Sequence, residues 1–575
     1  MKSARWLPLA ALALLGPLSV PAHAQWVPGG TVIASNVYEP NVVLAVPDGQ
    51  AGVLVFAPEL GSNDFGHEVA RVGPNGLFPP GWPSTAIQAS LKSAGLAADG
   101  TGGAYVGRFR QGPTGSQIVV RHLLADGSLD PAWPDTGRVV ADLPGLQGIQ
   151  LAADGAGGVY AAFSVDTGQG SQLSVLRLDV TGATSPGWPA EGVHIAQSGE
   201  FIHFGDVQAS TSGVYLTAYL TLSFSDYEGH DAFVGHVSPS GGIPTGWGTG
   251  TVVLPWAVNQ PPSSYAPDPA GGIYYTWSTG LVRRLVHLLA DASLDPGWPV
   301  RGLALLSDTT HYQILYRPVS DGAGGCFARF DYDSAGTDTS LVPRLVHITA
   351  NATPEPGWPL LGGRLPYVSK NYPSPDIVPD GNGGAYATWF DEPTPYGFRY
   401  FRAHHLAAGG ATAPYWPPSG LTLASGAGAR LASRTVTDSH GGAIAVWEDV
   451  RSDTAIPFDS TNVLALGFGP DGSLTTSVGS RGVGMAGGLR ASPVPSRGAT
   501  HLAFSLAQVS TVRVEVLDLN GRRVRRVFEG SLAPGPHSVV WDGLDDAGRP
   551  LPPGVYLGHA NGAGVAAATR LVRIR

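Results

Sequence analysis

One phrase returns along this 575-residue chain: "ADGTGGAYVGRF" from Ala98, "ADGAGGVYAAFS" from Ala153, "SDGAGGCFARFD" from Ser320 and "PDGNGGAYATWFDE" from Pro379. Self-similarity at a fixed spacing limits the fold more than any other feature, because each unit must be one supersecondary element that buries its apolar face against the next. Two markers carry the period. A D-x-x-G-G turn or a relative begins at Asp48, Asp99, Asp154, Asp268, Asp321, Asp380 and Asp438, with a worn copy at Ser210. A Trp followed by Pro and Gly stands at Trp26, Trp82, Trp133, Trp188, Trp247, Trp298, Trp358 and Trp416, about 51 to 60 residues apart.

Within Gln150 to Ala196, "QLAADG", "GGVYAAFS", "SQLSVLRLDVTG" and "GVHIAQ" read as four short strands of a meander. The glycines suit a connection that needs φ > 0, and the Asp side chain can accept hydrogen bonds from the turn's own amides. Four-stranded units repeated eight times predict an all-β chain with an eight-bladed β-propeller, or a seven-bladed one if the worn copy at Ser210 is not a unit. The phase of the repeat argues for a ring. Trp26 and "GGTVIAS" precede the first hairpin and look like a last strand without its first three, whereas the eighth hairpin, "TDSHGGAIAVWED", has no Trp turn of its own. The N-terminal strand is therefore expected to complete the eighth unit, with "GVGMAGG" after Gly482 as a local alternative.

Composition agrees: 80 Gly, 49 Pro and only 2 Met suit turns and strands, not amphipathic helices. Lys2 and Arg5, the apolar run Leu7 to Val20, and Ala22-His23-Ala24 read as a signal peptide with Gln25 the first mature residue. The run is too short for a membrane span, which needs about 20 residues, and it contains Pro8 and Pro17. The only cysteine, Cys326, stands where sister units carry Ala, Val or Ile, and so reads as a buried core residue. A net charge of −10 without long runs predicts no nucleic-acid partner and no basic patch for anionic membranes.

After a Pro/Ser/Gly linker the rule changes. From Thr500 the chain alternates apolar and polar residues with turns every 8 to 12 residues, as in a small β-sandwich, and Asn520-Gly521 signals a hairpin. Trp541-Asp542-Gly543, Asp545-Asp546-Ala547-Gly548-Arg549 and Gly554-Val555-Tyr556 carry a resemblance. This tail resembles the FlgD-like immunoglobulin-like domain, itself similar to the sorting domain of type IX secretion. The resemblance implies an exported or surface-displayed bacterial protein, with the tail as an attachment, sorting or spacer module. The ring is similar to repeats that accompany such tails in large secreted bacterial proteins, with Gly441-Gly442 through Trp447, Asp449 and Arg451 fitting best. The expected division is a signal peptide (1–24), propeller (25–487), linker (488–499) and sandwich (500–575).

Site residues are harder to read, because repeats hide them among architectural ones. The third strand ends in Arg71, His122, Arg177, His236, His287, His347 or His405, and a packing role beside the unit's Trp fits better than a metal ring, since Arg is no ligand and ring positions lie far apart. The repeated Trp reads as one wedge per unit. Aromatics that break the repeat are the candidate ligand-binding residues: Tyr227, Trp256, Tyr265, Trp277, Tyr396 and Tyr400. "DYDSAGTDTS", with Asp331, Asp333 and Asp338, is the richest calcium-like stretch, yet short of a calcium loop. No G-x-S-x-G, H-E-x-x-H or P-loop is present, so no catalytic residue, metal or cofactor is assigned. The sequence thus predicts an exported, monomeric, non-catalytic binding or structural propeller. Its partner is a glycan or a surface protein, met on irregular loops such as "SFSDYEGHD" from Ser223 and "DEPTPYGFRY" from Asp391. The alternatives are a polysaccharide hydrolase or lyase with its site at one mouth of the ring, and an envelope spacer.

Overall fold

The computed structural model describes residues 26–574, except 27–29, 38–43, 59–65, 83–86, 91–94, 199–200, 222–231, 249–250, 254–264, 269–270, 280–281, 306–312, 334–340, 360–361, 367–374, 392–399, 426–428, 451–460, 475–488, 493–495, 497, 507–509, 519–521, 533–534 and 563–564. Among the described residues every regular element is a strand. The chain divides into two compact units, 1–478 and 479–575.

The first unit is a series of eight small antiparallel sheets, and sheet 3 shows the plan: Leu146–Ala153, Val159–Asp166, Ser171–Leu178 and Val193–Ser198 pair in sequence order. The first strands of sheets 1 to 8 are Leu44–Pro47, Gly95–Ala98, Leu146–Ala153, Phe201–Ser210, Tyr265–Pro267, Gln313–Leu315 with Val319–Ser320, Asp376–Pro379 and Ala429–Thr437. Each neighbours the first strand of the next sheet, and that of sheet 8 neighbours that of sheet 1. Sheet 8 takes its fourth strand from the other end of the chain: Thr31–Val37 pairs antiparallel with Thr461–Phe468. The local alternative after Gly482 lies outside the described residues.

Why these residues make these corners is visible in the hairpin at Asp99. Its Oδ1 accepts from the amides of Thr101 (2.7 Å) and Gly103 (2.9 Å), fastening the turn between the first two strands. Gly102 has φ +102°, where a side chain would be strained. Gly103 is needed for a different reason than φ: a Cβ there would lie 2.2 Å from the Leu123 carbonyl oxygen and 2.5 Å from Asp99 Oδ2.

The apolar faces meet between sheets. Leu54, Phe56, Val69 and Trp82 of sheet 1 pack with Leu96, Ala104, Val106 and Leu123 of sheet 2, while one cluster joins sheets 7, 8 and 1 and includes Trp26 and Trp416. Cys326 is fully buried in the core between sheets 5 and 6, and burial pushes its thiol well up, as expected of a packing residue.

The second unit has a three-stranded sheet (Arg490–Ser492, Thr500–Leu506, Gly535–Trp541) and a four-stranded one in the order Arg523–Leu532, Ser510–Leu517, Gly554–Gly562, Val565–Arg573. Leu502, Phe504, Val514, Trp541 and Tyr556 lie in its core. Leu489 is in that core and Arg490–Ser492 pairs with Thr500–Leu506, so part of the stretch expected as linker is sheet. Asn520-Gly521 lies outside the described residues, between two strands that do pair.

Candidate functional site

The recurring polar and aromatic side chains of the first unit are used up in joints between sheets. His122 stacks on Tyr105, ring centroids 4.4 Å apart, and lies 5.8 Å from Trp133. Its Nε2 meets Asp99 Oδ2 at 3.1 Å and its Nδ1 meets Asp130 Oδ2 at 2.8 Å. Burial works against the charged imidazole, but the hydrogen bonds to Asp99 and Asp130 outweigh it and raise the pKa. Burial likewise opposes ionisation of Asp99, and the bonds from His122, Thr101 and Gly103 bring its pKa down to about 2. His287 repeats this arrangement with Asp268 and Asp295, His347 and His405 bond the turn residues Asp321 and Asp380, and Arg71 and Arg177 do so with Asp48 and Asp154. The packing role read for these positions holds, and no cluster suited to a metal ion exists among the described residues.

The Trp wedges reach forward. Trp82 Nε1 donates to the Ala125 carbonyl (2.8 Å), Trp133 to Val180 (3.0 Å) and Trp416 to Pro470 (2.8 Å), each in the next sheet's unit. Trp26, beside the strand that completes sheet 8, donates to the Pro74 carbonyl, just after the third strand of sheet 1, at 3.0 Å. Tyr105 extends the pattern, its hydroxyl donating to the Gly157 carbonyl in the next hairpin (2.6 Å).

A cavity of about 530 Å³ is lined by first strands of four successive sheets: Gln208 and Ser210 from sheet 4, Pro267 from sheet 5, Arg317 and Ser320 from sheet 6, and Asp376 and Ile377 from sheet 7. Two backbone irregularities position Arg317 of the lining and its ion-pair partner Asp206. The strand Phe201–Ser210 has a register shift between Phe204 and Val207, which places Asp206, and the first strand of sheet 6 is interrupted between Leu315 and Val319, which places Arg317 ahead of Pro318. Arg317 Nη2 meets Asp206 Oδ2 at 2.6 Å, and its Nε donates to the Tyr265 carbonyl at 3.2 Å. Gln208 donates to the same Asp206 oxygen (3.0 Å), and the Tyr265 hydroxyl donates to the Asp206 carbonyl (2.6 Å). Three sheets are thereby tied around one guanidinium that stays about half exposed.

Asp376 Oδ2 accepts from the Thr435 amide at 2.5 Å, linking sheets 7 and 8. The protein packed around its carboxyl raises the pKa above the ordinary value, against the pull of Arg434, the Thr435 amide and Arg317. Arg434 itself is exposed.

These residues share one position, four before the turn residue of their unit. Around the unit that position reads Leu44, Gly95, Gln150, Asp206, Ser264, Arg317, Asp376 and Arg434. Leu44, Gly95 and Gln150 are neutral, and after them the charged residues alternate in sign, with Ser264 between the first two. None of the repeat-breaking aromatics is among them. Alignment of the eight units on their turns is the signal that could have found them.

Of the expected aromatics, Tyr227, Trp256 and Tyr396 lie outside the described residues, as do most of the two irregular loops. Tyr265 and Trp277 are 2% and 6% exposed, so neither offers an open ring face; Tyr265 serves the cavity from behind, as a tether for Asp206 and Arg317. Tyr400 is half-buried, with the Arg402 guanidinium 5.2 Å from its ring centroid. Asp331, fully buried, is held by Arg329 (2.9 Å) and the Tyr316 hydroxyl (2.8 Å), which makes it part of an internal pair; Asp338 lies outside the described residues, as does the Asp333 side chain.

Residues 493–563 match the FlgD Ig-like domain family. Within them Asp545 Oδ1 accepts from the Ala547 and Arg549 amides (2.9 and 2.8 Å), and a Cβ at Gly543 would collide with Arg573, which accounts for the D-x-x-G-R turn and the Trp-Asp-Gly before it. No curated protein is significantly similar to the chain. Among solved structures, a PL25 polysaccharide lyase, an ulvan lyase bound to -[GlcA(1-4)Rha3S]-, is similar over 78% of this chain and 98% of its own, at 11% identity and a TM-score of 0.41. Prolyl oligopeptidase B from Galerina marginata is similar over 72% of this chain and 55% of its own (12% identity, TM-score 0.38), and a puromycin hydrolase over 64% and 53% (14%, 0.32). Among the described residues no helix is long and apolar enough to cross a membrane.

Proposed function

We propose that the first unit is a closed eight-bladed β-propeller of an exported bacterial protein, a non-catalytic module that binds a glycan in the cavity among its first strands. The FlgD Ig-like tail serves attachment or sorting. Closure is supported by the pairing of Thr31–Val37 with Thr461–Phe468 and by the Trp26 bond to Pro74, which extends the series of joints from sheet 8 to sheet 1. Export rests on the leader-like segment 1–24 and the company such tails keep.

The observation that carries the binding reading is the cavity itself. It brings a half-exposed guanidinium, a carboxyl and the amide and hydroxyls of Gln208, Ser210 and Ser320 together with small apolar faces from Pro267, Val319 and Ile377. A sugar ring presents the same mixture, hydroxyls around its edge and C–H groups on its face, and about 530 Å³ is of the size that holds one or two such rings. Asp206, which does not itself line the cavity, engages Arg317 and Gln208 and so holds two of the lining side chains in place.

A single feature favours the second reading, a polysaccharide hydrolase or lyase. Asp376 is a carboxyl whose pKa is raised in the same cavity as Arg317, the property a general acid needs. The test is a glycan and polysaccharide binding panel with the full chain, run beside an assay for released reducing ends and unsaturated products. Selective binding without release supports the module. Release that disappears in Asp376→Asn replaces it with the enzyme, and silence in both assays removes the glycan altogether.

A further inference from the structure

Sheet 2 carries two arginines at positions that hold an uncharged residue in every other repeat except for His404, the counterpart of Arg121. Position 108, five residues after the second turn glycine, is Phe163, Trp277, Phe330 or Trp389 in sister units, and position 121, one before the basic residue that ends the third strand, is Ala70, Leu176, Gly235, Val286, Val346, His404 or Leu466. In the antiparallel pair Ala104–Gln111 and Ser116–Leu123, Arg108 lies opposite Val119 and Arg121 opposite Val106. Facing residues of a ladder share one side of the sheet, so the two arginines are diagonal neighbours on the face whose Ala104, Val106 and Leu123 pack against sheet 1. Both are half-buried, and the Nε of each is shut off from water with no hydrogen-bond partner. Gly137 leaves the room: a Cβ there would stand 2.9 Å from Arg121 Cγ.

This contrasts with the basic residues of the joints, where Arg71 and Arg177 each hold a carboxylate within 2.7 Å. The third arginine on this face, Arg110, is already fastened to Gln117 (2.7 Å) and to the Thr136 carbonyl. Two like charges side by side and out of full contact with water are unfavourable unless a counter-charge joins them. Burial first, and then Arg121 and Arg110, lower the pKa of Arg108 accordingly. A planar fork of N–H donors is matched to the oxygens of sulfate, phosphate or carboxylate.

We propose that Arg108 and Arg121 form an oxoanion site on the seam between sheets 1 and 2, separate from the cavity and independent of the glycan reading. The oxoanion is either a free inorganic ion or a group hanging from an anionic polymer, and the seam accepts one group at a time.

The experiment is thermal unfolding of the full chain in sodium sulfate and in sodium chloride at matched ionic strength, for the wild type, Arg108→Phe and Arg121→Val, the last two being residues that sister units carry. Comparison of the sulfate-minus-chloride difference between proteins removes the general salting effect of sulfate. The site predicts that the wild-type difference exceeds that of either variant by about 3 °C, as expected for a site occupied well above its dissociation constant. An equal difference in all three proteins overturns it. Should Arg121→Val fail to fold, Arg121→Gln is read by the same criterion. Dextran sulfate at the same sulfate-group concentration separates the sources: a matching shift assigns a polymer-borne group, and a shift with inorganic sulfate alone assigns the free ion.

Discussion

Charge is used in two ways within the first unit, and the contrast separates architecture from candidate function. At the joints the same answer is given again and again: a turn Asp, a His or Arg at the end of the third strand, a Trp wedge, and a carbonyl of the next unit. Among the first strands, four residues before each turn, the answer differs in nearly every unit, from Leu44 and Gly95 to Asp206, Arg317, Asp376 and Arg434. A position that repeats is under the demands of packing, which are the same in every sheet. A position that does not repeat has been released from them. Carboxylates at the joints are largely buried and locked, Asp48 completely so by Arg71 and two amides, whereas Asp206 and Arg317 remain well exposed although they too are paired.

The largest effect is expected at a wedge. Trp133→Ala removes a ring that is 4% exposed and the hydrogen bond to Val180, and should cost about 3–5 kcal/mol in denaturant unfolding of the first unit. Asp99→Ala comes next, since it leaves the Thr101 and Gly103 amides and His122 without their acceptor; about 1–3 kcal/mol is expected by the same measurement. If either change leaves stability untouched, the joints are not what holds the sheets together.

A smaller effect should appear with pH. Burial pushes the pKa of His236 down to about 4, and burial with the nearby His405 does the same to His404. Both are neutral when folded and gain a proton more readily when unfolded, where the ordinary value is near 6.5. Their contribution is therefore complete above about pH 6.5 and is lost as pH falls toward 4. His404→Val, with the residue that Val286 and Val346 supply in sister units, should flatten this part of the stability profile, and an unchanged slope would count against it.

The joints were legible in the sequence because a period exposes them. The D-x-x-G-G phrase gave away the hairpin, the basic residue and Trp gave away the wedge, and the stranded Trp26 pointed to the strand that completes sheet 8. The cavity was not legible in the same way. Its polar network depends on a register shift beside Asp206 and a strand interrupted at Arg317-Pro318, and neither irregularity follows from the repeat. The expectation that repeat-breaking aromatics would mark a site led instead to Tyr265, a buried tether for Asp206 and Arg317, and to Trp277, which fills the same core position as Phe163, Phe330 and Trp389 and so does not break the repeat. In the tail, Asp545 and Arg549 were readable as a turn, but the part played by Arg490–Ser492 depends on pairing with a strand beyond a Pro/Ser/Gly stretch.

The smallest change in stability should accompany the largest change in binding. Arg317→Ala breaks an ion pair exposed at both ends and is expected to cost at most about 1 kcal/mol. The most direct test of the account is a binding titration of the wild type and Arg317→Ala against the glycan that the wild type selects, with unfolding measured on the same samples. The account predicts binding reduced at least tenfold in a protein whose unfolding midpoint is nearly unchanged. Equal binding by the two proteins would contradict it and place the ligand elsewhere on the molecule.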